Sequence, residues 1–160
     1  MTLVVRDALV LWDAEGERSG ELRLDDGSEV VTTLDASGCV VTPGLVNAHH
    51  HLLQSGFRTL PGTRGVPMAQ WLPAMASAYA EAGIDPELVA ATAAVGVAEG
   101  LLCGVTTVAD HHLNWPHGVP IEATVEIARA IADTARDLGS RLVYVRGSAR
   151  DDAAWAGASA

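Results

Sequence analysis

Histidine is the residue type of this sequence most able to do chemistry, and five of the six histidines fall in two short runs. The first run is His49-His50-His51, and the second, His111-His112, follows Asp110. Alternate residues of a β-strand point to the same face, so His49 and His51 would share one face while His50 points to the other. Two neutral imidazoles on one face can bind one divalent ion of the zinc type. His49 and His51 are therefore candidate metal ligands, and the alternative is a histidine-rich turn that is merely solvated.

The elements that must position these runs are short apolar strands that alternate with helices. Leu45-Val46 leads into the first run, Val105–Ala109 leads into the second, and Arg141–Val145 ends just before Arg146-Gly147-Ser148. Strands and helices in this order predict an α/β fold with a parallel sheet. Each polar cluster would then lie at the carboxyl end of its strand, where (β/α)₈ barrels build their active sites.

The intervening segments carry helix signals. Asp85-Pro86-Glu87 is a strong start for a helix that continues to Cys103, and Ala69–Glu81 can form another. A third helix is predicted over Ile121–Leu138, with apolar residues at helical spacing: Ile121, Val125, Ala128, Ala132, Ala135 and Leu138.

The first part of the chain has a different pattern, in which turn motifs separate short strand-like segments. This pattern predicts a small β-layer. Thr2–Trp12 is expected to form one strand, and Asp25-Asp26-Gly27 a hairpin turn between Glu21–Leu24 and a returning strand at Val30–Leu34. We therefore divide the chain into a β-layer at residues 1–42 and an α/β part at residues 43–160.

Composition narrows the classes of function. The formal net charge of −10 disfavours a nucleic-acid partner. No apolar run approaches the roughly 18 residues of a membrane span, and the N-terminus lacks the features of a signal peptide, so the expected location is the cytoplasm and no membrane partner is expected. Cys39 and Cys103 are expected to be buried thiols in a reducing compartment.

Three motifs resemble those of the amidohydrolase superfamily. Pro43–Gln54 resembles its first-strand motif, Gly100–His112 resembles its second-strand segment, and Arg146-Gly147-Ser148 is similar to its third-strand ending. The most similar branch is that of the aminohydrolases, which includes 8-oxoguanine deaminase and hydroxyatrazine ethylaminohydrolase. The resemblance implies the first part of a TIM-like (β/α)₈ barrel, about three βα units, preceded by a portion of a small split β-sandwich. It also implies that His49 and His51 bind the metal.

The resemblance further implies contacts with a small heterocyclic substrate. Gln54 is expected to contact it, unless it is a polar loop residue, and Trp71 to form an apolar wall over the pocket, unless it belongs to the core. His111 and His112 would contact the substrate or orient a neighbouring group through a hydrogen bond. Arg146 would pair with a substrate oxygen or form a salt bridge at the barrel mouth.

The implied activity is metal-dependent hydrolysis of a C–N bond that deaminates a purine- or triazine-like ring. Zinc is the expected metal, and iron would also accept these ligands. In the family the remaining ligands and proton-transfer groups come from later strands, so we expect no catalytic residue within these 160 residues and expect an N-terminal fragment. The alternatives are an inactive truncated barrel and a small metal-binding protein. An open sheet edge predicts self-association into a homo-oligomer.

Overall fold

The structure is a computed structural model that describes residues 1–116 and 118–147. The chain divides into two compact units, Met1–Gly44 and Leu45–Ala160. Within the described residues, no helix is both long enough and apolar enough to cross a membrane.

The unit Met1–Gly44 consists of six short strands in two three-stranded sheets. The strands are β1 (Thr2–Arg6), β2 (Val10–Asp13), β3 (Gly16–Arg18), β4 (Leu22–Leu24), β5 (Val31–Asp35) and β6 (Val40–Val41). The strand orders are β4-β1-β5 and β3-β2-β6. Val4, Val5 and Leu11, on the two central strands, are buried at 2–4% exposure, so the central strands supply most of the buried apolar surface of this unit.

Two expectations for this unit are wrong. The predicted single strand over residues 2–12 is broken at Asp7, whose φ of 61° is incompatible with an extended strand. The predicted hairpin does not form, because β1 lies between β4 and β5, antiparallel to the first and parallel to the second. Asp25 caps its own turn through Gly27 N at 2.9 Å and also accepts a hydrogen bond from Thr2 Oγ1 at 2.9 Å. The turn therefore binds β1 rather than closing a two-stranded ribbon.

The unit that begins at Leu45 has the α/β character that the sequence predicts. Its elements are β7 (Leu45–His50), a 3-10 helix (Leu52–Phe57), α1 (Met68–Ala82), α2 (Pro86–Leu102), β8 (Val105–His112), α3 (Ile121–Asp137) and β9 (Arg141–Arg146). The three strands form a parallel sheet in the order β7-β8-β9. The described residues form no closed barrel.

Local chemistry explains where α2 begins and ends. The Asp85 side chain accepts a hydrogen bond from Leu88 N at 2.8 Å and caps the helix, and Pro86 occupies its first turn. After the helix, Gly104 adopts a φ of 80°, a left-handed conformation that turns the chain into β8.

The core of this unit lies between the sheet and its helices. The 3-10 helix and α3 both pack against α2, and α2 and α3 each pack against a strand. The buried residues are Leu52, Leu53, Met75, Tyr79, Val89, Ala93, Val97, Val108, Trp115, Ile127, Ile131 and Ala135. On α3 the buried face is thus Ile127, Ile131 and Ala135, whereas Ile121 and Val125 of the expected apolar stripe are exposed.

The expectation of buried cysteines is wrong for both residues, because Cys39 and Cys103 are exposed free thiols. Cys39 follows the tight turn at Gly38, and Cys103 is the residue that ends α2, so both lie in surface turns rather than on a buried face.

Candidate metal centre

The most distinctive polar cluster lies at the carboxyl end of β7, where His49 and His51 face each other. His49 is within the strand and His51 is the first residue after it. Their Nε2 atoms are 3.2 Å apart, and their rings meet edge to face with centroids 4.9 Å apart. Two imidazole nitrogens therefore converge on one point at the end of a parallel sheet.

The orientation of His51 is fixed from the neighbouring strand. Its Nδ1 lies 2.6 Å from the backbone oxygen of His111, and a carbonyl only accepts, so Nδ1 carries the proton of the neutral ring. The lone pair of His51 is then on Nε2, the atom that faces His49. A hydrogen bond from the far ring nitrogen to a backbone carbonyl is one of the common ways in which proteins orient a metal-binding histidine.

His111 also supports His49. The two rings stack with centroids 4.2 Å apart and an interplanar angle of 25°. Nε2 of His111 lies 3.2 Å from the backbone oxygen of Ala48, so this nitrogen donates to β7. The backbone of His49 donates to Oδ1 of Asn47 at 3.2 Å, which holds the irregular end of the strand. His111 thus joins the histidine cluster as a support for both other rings.

The pair fits a divalent metal ion by both chemistry and spacing. Two nitrogens each about 2.05 Å from a single zinc ion and 3.2 Å apart would subtend an angle of about 100° at the ion, within the range of zinc sites. A catalytic zinc usually has three protein ligands. No group of three histidine, cysteine or acidic side chains with metal-binding geometry is found among residues 1–116 and 118–147. The described part of the chain therefore offers two candidate ligands, fewer than a catalytic zinc usually has.

Asp110 holds the turn that follows His51. It is fully buried, and its Oδ1 accepts a hydrogen bond from Leu52 N at 2.8 Å. Burial raises the pKa of Asp110, and burial lowers the pKa of His50, its register partner on β7. Asp110 Oδ2 and His50 Nδ1 have no hydrogen-bond partner among the described residues. The contact of Asp110 with Leu52 was not predictable from the sequence, because it spans 58 residues.

Gln54 and Trp71, predicted to contact substrate, line the same cavity. This cavity has a volume of about 470 Å³ and lies between the 3-10 helix, the loop that follows it and α1. Gln54 N donates to the backbone oxygen of His51 at 2.9 Å, so one turn of chain links the cavity wall to the histidine pair. Burial raises the pKa of Tyr79 to about 12, and the side chain of Gln54 opposes part of this rise.

His112 and Arg146 both lie against Trp115. His112 is 2% exposed and packs between the rings of Trp115 and Tyr144, with centroids 4.6 and 5.9 Å away. The guanidinium carbon of Arg146 lies 5.3 Å from the centroid of Trp115. His112 and Val108 are buried residues of one face of β8, and Val108 belongs to the core beneath the helices. The roles of His112 and Arg146 as substrate contacts remain predictions.

Sequence reasoning missed Trp115, which organises this second cluster. Its indole nitrogen donates to the backbone oxygen of Gly147 at 2.9 Å, and Gly147 N donates to the backbone oxygen of His112 at 2.9 Å. Its position three residues after a strand-end histidine was the available signal. Ser148, the last residue of the predicted third-strand ending, lies outside the described residues.

Known proteins that this chain is similar to include two deaminases and an atrazine chlorohydrolase. The chain is 32% identical over 158 residues to 8-oxoguanine deaminase of Pseudomonas aeruginosa, covering 90% of this chain and 34% of that protein. It is 33% identical to an isoxanthopterin deaminase from an unknown prokaryotic organism, covering 74% and 23% of the two chains. Its fold matches a variant of atrazine chlorohydrolase from Arthrobacter aurescens that holds zinc and atraton, with a TM-score of 0.76, 28% identity and coverage of 90% and 35%.

The chain thus spans about a third of the length of the 8-oxoguanine deaminase and of the atrazine chlorohydrolase that it matches. The amidohydrolase family pattern matches residues 40–154, which include all three strand-end motifs. This chain therefore belongs to the amidohydrolase family.

Proposed function

We propose that this chain carries part of the metal site of a metal-dependent hydrolase that acts on C–N bonds of heterocyclic amines. The observation that carries the proposal is the pair of imidazole nitrogens 3.2 Å apart at the end of β7, in a chain of the amidohydrolase family. The proposal follows from the ligand chemistry of the pair and from the activities of the relatives.

In this proposal His49 and His51 hold a divalent ion, with zinc the first candidate and iron the second. A metal ion bound there supplies acidified water, which is a strong nucleophile at neutral pH. The backbone oxygen of His111 keeps the proton of His51 on Nδ1, and the ring of His111 limits rotation of His49. The remaining ligands and the groups that transfer protons come from outside the described residues.

The proposed substrate is a planar ring that bears an amino group, of the purine or triazine type. Water replaces the amino group at a ring carbon, so the products are an oxo-substituted ring and ammonia. The names of the relatives, an 8-oxoguanine deaminase and an isoxanthopterin deaminase, support this class. Gln54 and Trp71 would contact the ring, because they line a cavity one turn of chain away from His51.

The test is ammonia release from 8-oxoguanine and isoxanthopterin, with zinc present. It is made on the 160-residue chain and on a version extended through the later strands of the family barrel. We expect the extended protein alone to release ammonia, and we expect His49→Ala and His51→Ala in that protein to abolish the release. Release that survives both substitutions would overturn the proposal, as would an extended protein that holds zinc and releases no ammonia from either ring.

A second candidate is hydrolytic displacement of another group from a triazine ring. The structural match to atrazine chlorohydrolase, with a TM-score of 0.76, favours it. The same extended protein, incubated with atrazine, separates the two candidates. Chloride release without ammonia release from the purine and pterin supports the second candidate, and the reverse supports the first.

A further inference from the structure

The cavity lined by Gln54 and Trp71 has an unusual set of charged residues for an acidic protein. Its lining combines aromatic, apolar, amide and cationic side chains: Gln54, Phe57, Arg58, Thr59, Leu60, Pro61, Gly62, Thr63, Arg64, Trp71 and Met75. Two of these residues are arginines and none is acidic, although the whole chain has a formal net charge of −10. The lining therefore holds cationic side chains and no acidic one, and Glu99, the ion-pair partner of Arg58, lies outside the lining.

The two arginines of the cavity differ in their partners. Arg58 forms an ion pair with Glu99 and also donates to the backbone oxygen of Ser55 at 3.4 Å. Arg64 has no hydrogen bond, ion pair or ring contact to any residue of 1–116 or 118–147. A guanidinium carries five N–H donors in a planar fork that matches a carboxylate. Arg64 is therefore the cavity cation whose donors no described residue occupies.

The loop that carries Arg64 is anchored next to it. Thr63 is 7% exposed, and its hydroxyl donates to the backbone oxygen of Leu60 at 2.7 Å. Gly62 and Gly65, with φ values of 80° and 74°, make the tight turns on either side. A buried neighbour and two flanking turns fix the backbone position of Arg64, which lowers the cost of ordering this loop on binding.

The other walls of the cavity suit a planar ring. Trp71 and Phe57 supply aromatic surface, and Phe57 is held edge to face against Tyr79 with centroids 4.9 Å apart. Gln54 adds an amide that can both donate and accept at the edge of a heterocycle. A mostly apolar pocket with a few polar groups is the usual form of a small-molecule site, and its polar groups set specificity.

We propose that Arg64 determines specificity by binding a carboxylate or ring-bound oxyanion of a planar heterocycle held in this cavity. The inference deepens the proposed function, because it names the charge of the substrate class that the site prefers. Arg64 recognises the ligand and takes no part in bond making or breaking.

The experiment compares two fluorescent rings that differ by one carboxylate, pterin-6-carboxylate and pterin. Fluorescence anisotropy is measured on the 160-residue chain with EDTA present, so that binding does not depend on a metal ion. We expect pterin-6-carboxylate to bind about tenfold more tightly or better, as expected for a charge-assisted hydrogen-bonded pair. Arg64→Gln should abolish this preference and leave the affinity for pterin unchanged.

Arg129→Gln is the matched control, because Arg129 is exposed on α3, is not part of the cavity lining, and its loss changes the net charge equally. This variant should keep the full preference for pterin-6-carboxylate. Equal binding of the two rings by the unmodified chain, no binding of either, or equal losses in the two variants would each overturn the inference. If the extended protein still releases ammonia after such a result, the proposed function stands and only the role of Arg64 is rejected.

Discussion

Stability at acid pH tests whether His112 is a core residue or an exposed substrate contact. Burial lowers the pKa of His112 from 6.5 to about 4. The unfolded chain therefore binds one more proton than the folded chain between these two pH values. The contribution of the buried, neutral His112 ring to the free energy of unfolding is fully present above pH 6.5 and is lost as the pH falls toward 4. It changes no further below pH 4. At 1.36 kcal/mol per pKa unit, the complete loss is about 3 kcal/mol.

The assay is urea unfolding of the unmodified chain and of His112→Phe at pH 7.5 and pH 4.5. Between these values the unmodified chain should lose about 2.5 kcal/mol more free energy of unfolding than the variant. Other groups, including Asp110 with its raised pKa, titrate in both proteins and cancel in the difference. A difference below about 0.5 kcal/mol would refute the reasoning, because it would mean that the ring of His112 is hydrated as it would be in an open pocket.

Two further predictions concern packing against the 3-10 helix that follows His51. Asp110→Ala should lower the free energy of unfolding in urea by about 1–3 kcal/mol, because Leu52 N loses its acceptor, whereas Asp110→Asn keeps a carbonyl oxygen and should lose less. Gly96→Ala should lower the thermal midpoint, because the added Cβ would lie 2.6 Å from Ser55 Oγ, while Gly100→Ala in the same helix, with nothing nearer than 3.6 Å, should raise it. Equal losses of stability in the two Asp110 variants would contradict the packing described. Equal shifts of the thermal midpoint in Gly96→Ala and Gly100→Ala would also contradict it.

The convergence of His49 and His51 was predictable because it depends on local periodicity. The two-residue alternation of a strand places them together, and the apolar run that precedes them identifies the strand. The hydrogen bond that orients His51 was not predictable, because its partner, the backbone of His111, lies 60 residues away. Sequence spacing thus predicts the pair of histidines but not the contact that places the proton of His51 on Nδ1.

His111 and His112 illustrate a prediction that alternation could have refined. Adjacent strand residues point to opposite faces, so only one of these two histidines could face the pair formed by His49 and His51. Nothing local in the sequence says which one, since the choice depends on the side of β8 that the helices cover. The structure brings His111 to the cluster and buries His112 beside Trp115.

The predictions of the hairpin and of the buried face of α3 were wrong for related reasons. The parallel pairing of β1 with β5 joins residues about 30 positions apart, and a turn motif carries no information about a third strand. On α3, two apolar stripes both have helical spacing, one through Ile121 and Val125 and the other through Ile127 and Ile131. Periodicity predicts the helix, and only packing against α2 selects the buried stripe.

Zinc titration of the 160-residue chain tests the central claim most directly. A complete structural zinc site supplies about 10–16 kcal/mol, so half of the ligand set would give about 5–8 kcal/mol, or a dissociation constant of about 1–200 µM. The titration is made in a Cys39→Ser/Cys103→Ser background, because both thiols are exposed. We predict one weakly bound zinc ion that is lost in His49→Ala and in His51→Ala. Binding that survives both substitutions would contradict the metal role of the pair, and nanomolar binding lost in either would contradict the conclusion that the ligand set is incomplete.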